Sequence, residues 1–307
     1  VLYSSALVSL GALEHAQKFF ERYAPVVANS DNPDLGSIWV GYAELLIQMR
    51  KWDELQALAV QLRTLHPTRT ILTGYSYFLD GRAALARGRA DEAAANFSKC
   101  ADEPFHVPAA AMHAARSLFL LGHGDLAKRI VEPLEAALAN DVEYWQLLFD
   151  IEYARKEDET SLLRAAIKAR ELDPDRLMRQ VNYAAALLIN RQNPSEAINI
   201  TLGFYQAYPQ SLVAKINHSF ALALNNRYTE AADILTKIAP SSLRETELTV
   251  YHYCWLEVHY GLRQLDLAAE DLKQINPKLL FPSQVKRVDQ VRAEIESARA
   301  TTFQRSN

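Results

Sequence analysis

The sequence predicts an all-α protein built from about eight helical hairpins and a C-terminal helix. Three observations predict it. The 307 residues include only 10 Gly and 12 Pro and are rich in Ala and Leu, both strong helix formers. One short motif, a polar turn followed by an acidic residue and a small apolar residue, recurs along nearly the whole chain. Around each copy apolar residues return at spacings of three and four, the period of one helix face.

Composition narrows the function classes. With 49% hydrophobic and 23% charged residues the chain can bury a large core. A formal net charge of -4 provides no basic footprint for a nucleic-acid backbone. No uninterrupted apolar run approaches the ~18 residues that a membrane-spanning helix needs. Cys100 and Cys254 lie far apart, without C-x-x-C or zinc-ligand spacing, and read as two buried thiols of a reducing compartment. The first residues, Val1 to Ser5, show no signal-peptide pattern, so a cytoplasmic location is expected. Length alone predicts about two domains; the repeat instead predicts one continuous array over residues 1–276.

The first unit, near 1–30, carries Gly11, Glu14 and Ala16, with Phe20 one turn on. Its first helix lacks a capping residue ahead of Val1, which suggests a chain cut from a longer one. The second, near 36–69, has the helical run from Trp39 to Leu46, then Trp52, Asp53 and Glu54 before Leu55. The third, near 74–106, repeats the first: Gly88, Asp91, Glu92 and Ala93, then Phe97. Units four to eight, near 108–140, 143–176, 178–210, 212–242 and 249–277, place Ala127, Leu162, Ala197, Ala231 and Ala268 in the same frame. These key positions are separated by about 34 to 39 residues. A small residue there lets two helices approach closely, and Phe20 or Phe97 fills the space beside it. Leu55 and Leu162 call for adjustment, through Ala59 and Ala166 one turn on. Pro67, Pro174 and Pro209 each follow their key position by twelve residues and end the second helix. From Pro282 a half-polar helix over 282–302, with Val285, Val288, Val291 and Ile295 on one side, is expected to cover the last repeat; the alternative reading is the first helix of a truncated ninth unit.

These residues resemble the tetratricopeptide repeat (TPR) family over roughly residues 1–276. The family pattern of Trp, Leu-Gly, Tyr, Ala, Phe and Pro is matched best by Trp39, Tyr42, Ala43, Leu46 and Pro67, then by Tyr77, Gly81, Ala84, Ala93 and Phe97. Asp150, His252 and Leu256 depart from it. The resemblance implies a right-handed α-α superhelix, a solenoid whose first helices line a concave groove.

No residue pattern points to catalysis. The run from Ser117 to Ala127 reads superficially as a strand, a G-x-G-x-x-A phosphate turn and a helix. Ala127 nevertheless falls 34 residues after Ala93, which makes this a repeat turn. His252 and His259 stand seven apart, about 10 Å along a helix, too far to share a metal ion without a third element. They read as helix-interface residues, and Trp39, Trp52, Trp145 and Trp255 as core. Sequons at Asn96, Asn199 and Asn217 fall inside helices and are discounted as glycosylation sites. No cofactor is implied.

The groove is therefore the candidate site. Projection of the family's concave positions gives Tyr75, Phe78, Arg82 and Leu85, then Met112, Arg116 and Phe119, in the third and fourth units. The fifth to seventh supply Tyr144, Leu147 and Ile151, then Arg179, Asn182 and Ile189, then Ile216, Asn217 and Phe220. Such an apolar surface with a few Arg and Asn residues suits an extended or helical peptide. Arg82 and Arg116 would pair with a ligand carboxylate, and Asn182 and Asn217 with a peptide backbone. The carboxylate clamp of some chaperone-binding relatives is absent, since the paired positions hold Val40 and Glu44, Phe78 and Arg82, Met112 and Arg116, and Leu147 and Ile151. The expectation is a non-enzymatic scaffold for a protein or peptide partner, with self-association left open and neither nucleic acid nor membrane insertion involved. A second reading is the accessory repeat region of a larger bacterial enzyme, a transferase, or of an envelope export assembly.

Overall fold

The computed structural model describes residues 11–28, 36–65, 70–103 and 107–306, and every regular element among them is a helix. The chain divides into two compact units, Val1–Ala139 and Asn140–Asn307. In the first, α1 (Leu13–Ala28) precedes α2 (Gly36–Gln48) and α3 (Trp52–Leu65), α4 (Thr70–Ala86) and α5 (Ala90–Lys99), and α6 (Pro108–Leu120) and α7 (Gly124–Val131). Pro133 has no N–H to continue a helix, and after a short 3₁₀ turn at Glu132–Leu134 the chain resumes as α8 (Glu135–Leu138). The second unit pairs α9 (Val142–Arg155) with α10 (Glu159–Leu172), α11 (Leu177–Ile189) with α12 (Pro194–Ala207), α13 (Leu212–Leu224) with α14 (Tyr228–Leu235), and α15 (Glu245–Gly261) with α16 (Leu265–Gln274). It ends in α17 (Pro282–Ser306). Pro67 and residues 1–10 of the first repeat lie outside the described residues.

One backbone device makes the hairpins. Between the two helices of each pair a residue adopts positive φ: Gly88 (72°), Gly122 (88°), Arg50 (55°), Lys156 (57°), Arg191 (52°), Asn226 (60°) and Arg263 (61°), with Gly11 (73°) ahead of α1. In six of these turns the next N–H donates five residues back, as Arg89 does to Ala84 (3.0 Å), His123 to Leu118 (2.8 Å) and Gln264 to His259 (2.9 Å). This is the Schellman closure, which satisfies the carbonyls left at a helix end. At the fifth hairpin the simpler form occurs, with the Lys156 N–H donating to Glu152 O at 2.9 Å.

The key small residue is buried in every unit: Ala16, Leu55, Ala93, Ala127, Leu162, Ala197, Ala231 and Ala268 are all fully inaccessible. The aromatic beside it needs a glycine on the facing helix. A Cβ on Gly81 would stand 2.5 Å from the Phe97 ring, and one on Gly261 would stand 2.3 Å from the Tyr228 ring, both inside any real contact. Adjacent hairpins of the second unit are joined by a repeated side chain. Asn190 Nδ2 donates to Glu159 O (3.2 Å), and 35 residues later Asn225 Nδ2 donates to Pro194 O (2.8 Å). Each ties the end of a first helix to the opening of the preceding second helix.

The last helix buries Val288, Val291 and Ile295, yet it does more than cover the last hairpin. Its start reaches back 124 residues, where the Ser283 N–H donates to Glu159 Oε1 at 2.6 Å. The Ser283 hydroxyl donates to Ile189 O at 3.1 Å, and the Phe281 ring lies 5.9 Å from that of Tyr153. Further along, Arg287 forks onto Glu257 and Arg299 pairs with Asp266.

Candidate functional site

The two compact units divide the predicted groove residues. In the first, α4 and α6 supply them. Tyr75 and Phe78 are buried (0% and 1% exposed): their rings stack at 5.6 Å, and Phe78 also meets Phe97 and the edge of His113. They act as core between helices and offer no surface. Arg82, Leu85, Met112 and Phe119 are half-buried, and Arg116 is exposed. The Arg82 guanidinium lies 6.0 Å over the Phe78 ring. Burial, followed by the charges of Arg82 and Arg116, pushes the His113 imidazole down to about 4, so it is neutral at pH 7. It lies 3.3 Å from the Ser117 hydroxyl. The open part of this face is therefore two guanidiniums set among Met112, Phe119 and Leu85.

In the second unit Tyr144, Leu147, Ile151 and Phe220 are buried, as are Ile189 and Ile216. Arg179, only 3% exposed, is consumed by the protein itself: it bonds Glu143 (3.0 Å), Asp173 (2.9 Å) and Gln146 Oε1 (2.9 Å). Asn182 donates to the same Gln146 oxygen at 3.3 Å. Asn217 is half-buried and lines a half-open cleft of about 410 Å³, solvent included, between the first helices and the start of α17. Lys156 lies on one side of this cleft, its ammonium 4.5 Å over the Tyr153 ring and 4.8 Å over the Phe281 ring.

Two ionic clusters escaped sequence reasoning because their members are distant in the chain. Glu257, buried in α15, accepts from Arg191 (2.6 Å) and from both Nε and Nη2 of Arg287 (3.1 and 3.2 Å). Burial works to raise the Glu257 carboxyl, but the two guanidiniums win and hold it below the usual carboxylate range. In the other, Asp271 of α16 stands between His252 and His259, each Nδ1 within 2.8 Å and 2.7 Å of a different carboxylate oxygen. Trp255 stacks on His259 at 4.7 Å. The seven-residue spacing of the histidines thus serves one buried aspartate. Among the described residues no group of three or more His, Cys, Asp or Glu side chains is placed to hold a metal ion, and no helix is long and apolar enough to cross a membrane. Cys100 and Cys254 are free and buried, and burial pushes the Cys100 thiol up to about 12.

No family model and no curated protein matches the chain. Among solved structures it is similar to a tetratricopeptide repeat protein from Parabacteroides merdae ATCC 43184, at 12% identity over 92% of this chain and 98% of that one, with a TM-score of 0.45. It is also similar to the APC/C hetero-tetramer Cut9-Hcn1 (15% identity, 98% and 65% of the two chains, TM-score 0.40) and to the P58(IPK) TPR domain (12%, 95% and 97%, TM-score 0.37). The described hairpins are TPR-like in their period, in the left-handed turn residue and in the small buried residue of the second helix.

Proposed function

We propose that the chain is a non-enzymatic scaffold that binds a segment of a protein or peptide partner over the first helices of its hairpins. The observation that carries this reading is the face of α4 and α6. Arg82, Met112, Arg116 and Phe119 keep accessible surface there, whereas Tyr75 and Phe78 beneath them are fully used in packing. Met112 and Phe119 supply apolar area, and the two arginines, one helix apart, set the orientation of an acidic group. Partner binding by burial needs no catalytic group.

The test is a pull-down with the double variant Phe119→Ala, Arg116→Glu. Both positions tolerate change without emptying the core, so the far-UV circular dichroism and melting temperature should stay within a few degrees of wild type. Recovery of partners should fall by ten-fold or more. Unchanged recovery would remove this face from the reading.

A further inference from the structure

Among the described residues, Lys156 has no carboxylate partner. Its ammonium donates only to Tyr153 O at 3.4 Å and lies between two ring faces. The left-handed backbone of the turn directs it there, since Lys156 is the positive-φ residue that closes α9. Burial lowers its pKa to about 8, which is what a cation without a counter-charge experiences on desolvation. Two amides line the same cleft. Gln284 is 6% exposed and its Oε1 accepts from the Phe281 N–H at 3.1 Å; that contact fixes the amide and leaves Nε2 as an unused donor. Asn217 makes no hydrogen bond with the described residues. The remaining wall includes Ile216, Phe220 and Val250, and no acidic residue lines the cleft.

A cation and two amide donors without acceptors, on an apolar wall, define the chemistry of what fits: an anion with two oxygens at one end and a few carbons at the other. We propose that this cleft binds a carboxylate carried on a short branched aliphatic group, with its oxygens on Lys156, Asn217 and Gln284 and its alkyl part against Ile216, Phe220 and Val250. The site belongs to the second unit alone and does not depend on partner binding by the scaffold. Two sources share this chemistry, a free branched-chain acid and the C-terminal residue of a peptide ending in Leu.

The experiment is calorimetric titration of the full 307-residue chain with 4-methylpentanoate, with a short peptide ending in free Leu, and with the same peptide as its C-terminal amide. The acid should bind, the amide at least ten-fold more weakly than the free peptide, and affinity should fall up to ten-fold per pH unit above 8 as Lys156 loses its charge. Tighter binding of the free peptide than of the acid assigns the site to peptide ends; the reverse order assigns it to free acids. Lys156→Met should abolish binding. Asn217→Leu, which sacrifices no hydrogen bond of the fold, should weaken it about ten-fold even if the lysine variant fails to fold. Absence of heat with both carboxylates at millimolar concentration overturns the proposal, as does equal affinity for free peptide and amide, or affinity unchanged in Asn217→Leu.

Discussion

At position 50 an arginine carries the backbone angle that a glycine carries at 88 and 122 (φ 55°, 72° and 88°). A side chain in the left-handed region costs about 1–2 kcal/mol, and glycine's extra unfolded-state freedom offsets roughly 0.5–1 kcal/mol of any relief. Arg50→Gly should therefore stabilise the protein by roughly 0.5–1 kcal/mol, and Gly122→Ala, which meets no atom within 4 Å, should destabilise it by about the same amount; urea midpoints check both. Gly81→Ala works by a different mechanism. Helix propensity favours alanine by about 1 kcal/mol, but the new methyl would sit 2.5 Å from Phe97, whose ring is locked in a fully buried site. Overpacking of about 1–3 kcal/mol exceeds the propensity gain, so a net loss of stability is expected. The sequence displays only part of this. Gly11, Gly88 and Gly122 advertise the turn, whereas Arg50, Lys156, Arg191 and Arg263 adopt it with no residue-level signal, because there the hydrogen bonds that close the helix end, Schellman pairs or at Lys156 the single bond to Glu152, outweigh the local strain.

Elements differ in how their ends are held. Asp141 caps α9 by accepting from the N–H groups of Glu143 (2.8 Å) and Tyr144 (3.2 Å), so Asp141→Ala should cost about 1 kcal/mol and fray the helix that carries Tyr144 and Leu147. Exchange of the first-turn amides of α9 would report it. Between α4 and α6, neutral His113 links acidity to stability. Its folded pKa lies below that of the unfolded chain, so its favourable contribution is complete above roughly pH 6.5 and is lost as pH falls toward 4. Amide protection of α4 and α6 should drop across that window in the wild type and stay flatter in His113→Gln; equal slopes would dissociate the histidine from the effect. At this scale the order of helices follows the 3.6-residue period of the sequence. Burial of the groove candidates does not, because the projection marks a helix face and cannot say which neighbour lies against it. Tyr75, Phe78, Tyr144 and Leu147 occupy that face and are covered; Arg179 occupies it and is paired with Glu143 and Asp173.

In a simple repeat array each hairpin contacts only its neighbours, so damage stays local. The second unit breaks that rule through α17, whose first turn bonds Glu159 and Ile189 while its body holds Glu257 and Asp266. No period predicts this, since the partners are 124 residues apart for Ser283 and Glu159. Phe281 is the apolar element of the contact, 2% exposed and against Tyr153. Phe281→Ala should cost about 3–5 kcal/mol, and native-state hydrogen exchange should show the loss in α9–α10 and in α15–α16 together. Loss confined to α15–α17 would mean that the contact adds no coupling. Glu257→Gln supplies the electrostatic counterpart: the depressed folded pKa contributes stability above the unfolded carboxyl pKa of about 4.3 that disappears as pH falls through the folded value. The wild-type unit should thus lose cooperativity in acid below about pH 4.3, while the Gln variant, which leaves the guanidiniums of Arg191 and Arg287 beside a neutral amide, should be weaker at pH 7 and change less on acidification. A hydrophobic plug at one end and an ion cluster at the other make α17 the tie that joins four hairpins into one cooperative body. Its failure by either route should therefore release all four together, not the last one alone.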